Sequence, residues 1–263
     1  MKELGKYRKD TGILDLCGAS EDAIDETVEK EREKLNEIDE IRKEYQNLVS
    51  IIHEEIGKGW TTIPGEIFWM LEETNYNMNV SILLALSAYY RHAHLSLRSM
   101  LEFSLLSVYF CDHPIEFQRW EDGETSYGIS KIYDEYIPKL SCFKDYGKVL
   151  ERRGKGKLDK LITDIRRLYK NLSAYVHGQG IEKREAKPSS TFPTRRITTY
   201  DKGKFNQWFG HLKRVFESCS TILIINYWNF PVDKLKMFKM LSQEQVETLL
   251  DFLNYEKIGK YER

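Results

Sequence analysis

The stretch from Met78 to Cys111 constrains the fold most, because it is the most apolar part of the chain and contains neither Gly nor Pro. No residue in it would stop a helix, so it predicts a single central helix. Polar side chains interrupt it at Arg91, His92, His94, Arg98 and Glu102. These interruptions exclude a membrane span and indicate a helix buried in a protein core.

Before this stretch, apolar residues recur at steps of three and four over residues 20–56, which predicts one long charged helix. Ser20 or Asp22 would cap it, after an irregular arm over residues 1–20. A helix of roughly 54 Å exceeds a compact bundle, so we expect part of it to pack on a second chain or a protruding hairpin. Alternatively, it is a bundle helix with one solvated, charged face.

The remaining segments also read as helices. They are a helix from Pro64 to about Thr74, short helices and loops over 114–156, and helices over Leu158–His177, Phe205–Trp228 and 243–254. Ser242 and Gln245 form a capping box for the last helix. A basic loop over 178–203 contains a β-branched run, Arg196–Tyr200, that predicts a short strand.

The pattern is therefore that of an all-α chain with three parts. Residues 1–60 form an arm and a long amphipathic helix, 61–231 a helical bundle, and 232–263 a helical extension.

Charge is distributed unevenly, although the formal net charge is only −1. Residues 131–214 carry 21 basic and 9 acidic side chains, a net charge of +12, while residues 1–57 carry 9 basic and 16 acidic ones, a net charge of −7. A basic block of this size attracts phosphate-rich partners such as RNA. The alternative is that the acidic and basic parts face each other within one molecule or across a dimer.

The segment from Lys170 to Gly178 is the most informative motif. Lys170, Ser173 and His177 are spaced by three and four residues, so a helix places them on one face. His177 stands at the predicted end of the helix, where the helix dipole favours its positive charge. The alternative is a structural histidine that caps backbone carbonyls.

This motif resembles that of the HEPN superfamily of helical bundles. Members carry an Arg, four to six further residues and a His near the end of a late helix, often with Asn directly after the Arg. Lys170, Asn171 and His177 match that pattern, and the segment 172–178, LSAYVHG, is similar to the LS-x-x-VHG of bacterial HEPN-like proteins encoded beside defence and mobile-element genes. The resemblance implies an all-α, HEPN-like helical bundle, preceded here by a long charged helix.

Active members of that superfamily cleave RNA without a metal, in a cleft where two protomers meet. The resemblance therefore implies a homodimer in which His177 is the general acid or base, Lys170 and Arg98 hold the phosphate, and Asn171 and Glu102 orient them. The motif's Arg is Lys170 in this chain, and Lys lacks the bidentate fork of Arg. Arg166 or Arg167, one turn earlier, would be a substitute.

A polar stripe crosses the central apolar stretch. Arg91, His94, Arg98 and Glu102 step by three, four and four residues, so they share one helix face, and Arg98 can pair with Glu102. Buried charges require partners, so the stripe faces a cleft or another polar helix. The resemblance implies that Arg98 and Glu102 approach His177. The alternative is a structural salt bridge that locks the bundle.

A third group of residues fits nucleic-acid binding. In residues 152–157 Arg and Lys alternate with Gly, a pattern that suits contacts to phosphates without base readout. The candidates are Arg152, Arg153, Lys155, Lys157, Arg166, Arg195 and Arg196. Solvated surface loops are the alternative reading.

Three functions remain open. The first is a ribonuclease-type effector of a bacterial defence or toxin system. The second is a catalytically silent HEPN-like module that binds a protein partner, through helix 21–56, or a nucleotide. The third is a plain nucleic-acid-binding subunit.

The four cysteines are far apart and the N-terminus lacks an apolar signal core, so we expect a reduced, cytoplasmic protein. We expect no metal and no cofactor, because His92 and His94 point apart on a helix. We also expect no membrane attachment.

Overall fold

The computed structural model describes residues 12–57, 67–156, 158–176, 199–227 and 230–261, and for 12–17, 55–57 and 255–261 the backbone alone. These residues form helices and connecting loops with no strand among them, so the predicted all-α class is confirmed. Among the described helices, none combines the length and apolar character needed to cross a bilayer.

Ten helices are labelled here in chain order. They are α1 (Gly12–Lys30), α2 (Arg32–Gly57), α3 (Ile67–Leu86), α4 (Tyr90–Asp112), α5 (Pro114–Glu121), α6 (Ser141–Arg152), α7 (Leu158–Val176), α8 (Lys202–Asn226), α9 (Val232–Leu235) and α10 (Gln243–Tyr261). Three consecutive turns connect α5 to α6: Ile129–Lys131, the π turn Ile132–Tyr136 and the 3₁₀ turn Ile137–Lys139. The broken 114–156 region matches its prediction.

The long N-terminal helix differs from its prediction in two ways. It begins at Gly12, not at a Ser20 or Asp22 cap, so residues 12–20 belong to a helix and not to an irregular arm. It also divides into α1 and α2 at Glu31, although the amide of Leu35 still bonds the carbonyl of Glu31. The hydroxyl of Thr27 donates to the carbonyl of Ala23 at 2.7 Å, a contact that bends helices.

The apolar face of α2 is buried within this chain. Ile41, Tyr45, Leu48 and Ile52 are at most 1% exposed. The bundle therefore covers this face within the chain, while the expectation that part of the long helix packs on a second chain or a protruding hairpin stays a prediction. The alternative, a bundle helix with a solvated charged face, describes α2.

The predicted single helix over Met78–Cys111 is two helices. Helix α3 runs through Thr74 to Leu86, and the chain then turns at Ala88, whose φ is +60°. The amide of Tyr89 bonds the carbonyl of Leu84, and that of Ala88 bonds the carbonyl of Ala85. This is a Schellman motif with Ala at the position that usually holds Gly, so the sequence carried no stop signal.

Helix α4 lies at the centre of the bundle, in contact with α3, α7 and α8. Its residues Leu97, Met100, Leu101 and Leu105 are fully buried. A buried hydrogen-bond chain joins three helices, because the Trp208 indole donates to Ser81 and the Ser81 hydroxyl donates to the carbonyl of Ala93. The prediction that the apolar segment Met78–Cys111 lies at the centre of the bundle is correct for its second half, which is α4.

The C-terminal part packs on the same core. The capping box is confirmed, since Gln245 N donates to Ser242 Oγ at 3.2 Å and Ser242 N donates to Gln245 Oε1 at 3.0 Å. The helix behind it continues to Tyr261, beyond the predicted end at 254. The buried carboxylate of Glu44 on α2 accepts hydrogen bonds from the amides of Lys239 (2.6 Å) and Met240 (3.0 Å).

Other predictions lie largely outside the described residues. They include the helix start at Pro64 and most of the predicted strand Arg196–Tyr200. Of that strand, Thr199 and Tyr200 are described, and they are not in a strand. The three-part division at 60 and 231 stays a prediction. Buried side chains from α1 through α10 form one hydrophobic core.

Candidate functional site

The polar stripe of α4 faces α7, and the two helices run antiparallel. Arg98 Nη2 and Glu102 Oε1 are 2.8 Å apart, so the predicted pairing within the helix is confirmed. The Tyr169 hydroxyl on α7 completes a triangle, because it accepts from Arg98 Nη2 and donates to Glu102 Oε1, each at 2.8 Å. Burial and the Glu102 charge raise the pKa of Tyr169, which keeps its proton in this bond.

Arg91, at the other end of the stripe, holds the C-terminus of α7. Its Nε donates to the carbonyl of Tyr175 at 3.0 Å and its Nη2 to the carbonyl of Val176 at 3.3 Å. Carbonyls in a last helical turn lack partners within the helix, and a positive charge there is favourable. Arg91 therefore fixes the backbone immediately before His177.

The buried His94 and the half-buried His211 lie between α4, α7 and α8. The His94 ring stacks on Tyr175 with 3.8 Å between ring centroids and meets the His211 ring edge-on at 5.0 Å. Burial lowers the pKa of both histidines to about 4. His94 Nδ1 lies 2.7 Å from the carbonyl of Tyr90, which can only accept, so Nδ1 carries the proton. Both rings are therefore neutral near pH 7.

The predicted catalytic residues fall into three groups. Lys170 and Asn171 are exposed on α7, next to Tyr169. Arg98 and Glu102 are partly buried, and their charges are engaged with each other and with Tyr169. His177 lies outside the described residues, so its predicted approach to Arg98 and Glu102 stays a prediction.

Sequence reasoning missed Tyr169 and His211 and gave Tyr175 no role. Tyr169 stands four positions before Ser173 along the face that meets α4, and this spacing was the available signal. His211 lies in an apolar helix without a motif, so only the fold brings it to His94.

Acidic side chains pair with most of the described basic candidates. Arg153 contacts Asp251 (2.5 Å) and Glu247 (3.3 Å) on α10, and Lys155 contacts Glu244 at 3.1 Å. Arg166 Nη2 lies 2.5 Å from Asp134.

Acidic side chains of the same chain therefore pair with Arg153, Lys155 and Arg166, but none of these partners belongs to the acidic residues 1–57; the pair of Lys213 with Glu37 is of the kind that the alternative describes. The partners of Arg153 and Lys155 belong to α10, not to helix 21–56. The Arg152 side chain is exposed, and Lys157, Arg195 and Arg196 lie outside the described residues.

Comparison with protein-family models, curated proteins and solved structures finds no match. Among the described residues, no three His, Cys, Asp or Glu side chains gather as metal ligands would. The likeness to the HEPN superfamily thus rests on the motif at Lys170, Asn171 and His177.

Removing the Tyr169 hydroxyl should loosen the contact between α4 and α7. We expect Tyr169→Phe to lower the free energy of unfolding by about 1 kcal/mol, because Arg98 and Glu102 each lose a hydrogen bond in a partly exposed site. Tyr76→Phe, which alters a tyrosine 62% exposed on α3, is the control. Equal urea midpoints for the two variants would contradict the structural role of Tyr169.

Proposed function

We propose that the chain is a HEPN-like, metal-independent ribonuclease whose cleft forms between two copies. The observation that carries this proposal is the fixed position of the end of α7. Arg91 holds its last carbonyls and the Arg98–Glu102 pair holds Tyr169, while Lys170 and Asn171 remain exposed beside them. A rigid support behind exposed polar groups is what a catalytic site requires.

In this proposal Arg98 and Glu102 are positioning residues and do not touch the phosphate. Lys170 binds the scissile phosphate as a point charge and Asn171 orients it. His177 takes the proton of the ribose 2′-hydroxyl or gives a proton to the departing 5′-oxygen. The 2′-oxygen forms the new bond to phosphorus as the bond to the 5′-oxygen breaks.

The dimeric cleft and the role in bacterial defence or as a toxin follow from the resemblance alone. Each chain carries one copy of the motif, so two chains would complete one cleft about a two-fold axis.

Substitution of Lys170 tests the proposal directly. We expect Lys170→Ala to lower RNA cleavage in EDTA at least tenfold, and Lys170→Arg to match or exceed the wild type, because Arg restores a two-pronged phosphate contact. Lys160→Ala removes an exposed lysine from the same helix and should leave cleavage unchanged. If wild-type protein does not cleave RNA, or if the Ala and Arg variants behave alike, the assigned role of Lys170 fails.

The second candidate is a silent module of the same fold. The pairing of Arg153 and Lys155 with α10 favours it, because these contacts neutralise part of the surface that would attract RNA. A wild-type protein that neither cleaves nor binds RNA would support this candidate.

Releasing the basic residues from α10 should strengthen RNA binding. We expect the triple variant Glu244→Gln, Glu247→Gln, Asp251→Asn to bind RNA at least tenfold more tightly at about 50 mM salt, with a steeper loss by about 200 mM. The control set removes the same charge from exposed positions near the end of α5: Glu121→Gln, Asp122→Asn and Glu124→Gln. Equal filter-binding titrations for the two sets would show that α10 does not mask the basic residues.

A further inference from the structure

His94 can take up a second proton only at a buried atom. Its Nδ1 already carries a proton, which it donates to the carbonyl of Tyr90 at 2.7 Å. The other ring nitrogen, Nε2, is buried and has no hydrogen-bond partner among the described residues. A proton added to Nε2 would therefore be an unpaired donor on a buried cation, and both features cost free energy.

The charged groups on α4 do not compensate for a charge on this ring. Arg91 and Arg98 stand one turn before and one turn after His94, and both are cations. The carboxylate of Glu102, a further turn away, is engaged with Arg98 and with the Tyr169 hydroxyl. A positive charge on His94 would therefore stand between two others on the same stripe.

The helices packed on α4 offer no carboxylate either. From α8 come His211, whose Nδ1 is also buried without a partner among the described residues, and the cation Arg214. From α7 comes the uncharged ring of Tyr175. Residues 74–90, which include the end of α3, contain no Asp, Glu, Lys or Arg. Nothing described around the ring thus favours its charged form apart from the Tyr90 carbonyl.

The last turn of α7 covers the His94 ring and is only shallowly packed. The Tyr175 ring lies flat on the His94 ring, with 3.8 Å between their centroids. Residues 173–176 are all partly exposed, whereas Ala93 and Leu97 beside His94 on α4 are fully buried. Segments with few buried contacts open at a lower free energy than the core. Movement of this turn gives Nε2 access to water while α4 stays packed on α3.

We propose that protonation of His94 releases the last turn of α7 from α4 and α8. The neutral ring packs on Tyr175 and favours the closed helix end, whereas the charged ring favours the open one, in which Nε2 reaches water. The two states differ in proton affinity, which is what a pH-dependent equilibrium requires. His211 acts in the same direction, because its ring meets that of His94 at 5.0 Å and two charged rings would repel each other.

The consequence for the candidate site rests on the proposed function. Arg91 holds the carbonyls of Tyr175 and Val176, and Lys170 and Asn171 lie one to two turns earlier on the same helix. Release of the last turn removes the fixed support on which the proposed phosphate contact depends. Acid would therefore stop cleavage through the support of the site as well as through the groups that touch RNA.

Hydrogen exchange of the full chain, followed by mass spectrometry, tests the release whether or not the chain cleaves RNA. The wild type is compared with His94→Gln, whose side chain stays neutral, at about pH 7.5 and about pH 5. A comparison at equal pH removes the intrinsic pH dependence of exchange. We expect the ratio of wild-type to variant exchange rates over residues 168–176 to rise at least tenfold from the higher to the lower pH.

Urea below the unfolding transition distinguishes local release from global unfolding. Release of one turn exposes little surface, so exchange over residues 168–176 should hardly respond to urea at the lower pH, whereas the slowest amides of α10 should respond strongly. His92→Gln, an exposed neighbour on α4, should behave as the wild type. His211→Gln should weaken the acid response in the same direction as His94→Gln, and it serves as the test if His94→Gln does not fold.

Two exchange results would overturn the proposal. One is an acid response over residues 168–176 that is equal in the wild type and in the folded variants of His94 and His211. The other is exchange over these residues that depends on urea as strongly as that of α10. RNA cleavage is measured separately. Its absence in the wild type would contradict the proposed function and leave the release standing, while cleavage that falls equally with acid in the wild type and His94→Gln would contradict the link to the site.

Discussion

Lowering the pH from about 7 to about 4 should reduce the free energy of unfolding by roughly 3 kcal/mol through His94 alone. Burial lowers the pKa of His94 to about 4 from an ordinary value of 6.5, and the side chain is 1% exposed. The unfolded chain therefore binds the proton first as the pH falls. The contribution of the neutral ring to the free energy of unfolding is present in full above pH 6.5 and is lost as the pH falls from 6.5 to about 4.

His211 acts in the same direction, because burial and then the Arg214 charge lower its pKa to about 4. Urea unfolding at a series of pH values measures the effect. His94→Gln should flatten the curve between these pH values, whereas His92→Gln, an exposed neighbour on α4, should leave its slope unchanged. A wild-type stability that does not vary across this range would contradict the neutral state of His94 and His211.

Replacing His177 by Ala should reduce RNA cleavage by about 10²–10⁴-fold, which is the usual contribution of a general acid or base. In the proposed mechanism His177 is the residue that moves the proton, because Lys170 is assigned to the phosphate and Asn171 has no acidic or basic group. RNA binding should change much less, since Lys170 retains the phosphate contact. Cleavage is measured in EDTA with purified protein.

His92→Ala is the matched control, because His92 is exposed on α4 and takes no part in the described site. Thermal unfolding shows that both variants keep the fold. If His177→Ala cleaves RNA as the wild type does, the nuclease proposal fails and the silent module becomes the better reading.

The helices could be predicted from the sequence because the patterns that indicate them lie within a few neighbouring residues. Apolar residues at steps of three and four mark the buried faces of α2, α7 and α8, and Ser242 and Gln245 mark the start of α10. The turn at Ala88 could not be predicted from the sequence, because Ala and not Gly takes the left-handed conformation there. Packing of α3 against α4 stabilises that turn, and packing is not visible in a local pattern.

The candidate site was predictable only in part, because only some of its contacts join residues that are close in sequence. The pair Arg98 and Glu102 lies four residues apart on one helix, so the sequence suffices. Their third partner, Tyr169, is 71 residues from Arg98 and 67 from Glu102, and only the fold joins them. The acidic partners of Arg153 likewise come from α10, 94 and 98 residues later.

The hydrogen bonds that the Glu44 carboxylate accepts from the amides of Lys239 and Met240 have a consequence for synthesis, because they join positions 195 and 196 residues apart. At translation rates of about 5–20 residues per second, Glu44 is added to the chain roughly 10–40 s before its partners are. Helix α10 follows later still, so Arg153 and Lys155 lack their acidic neighbours from their own synthesis until α10 is made. The basic residues 131–214, with their net charge of +12, therefore emerge beside ribosomal RNA before the carboxylates of α10 exist to pair with Arg153 and Lys155.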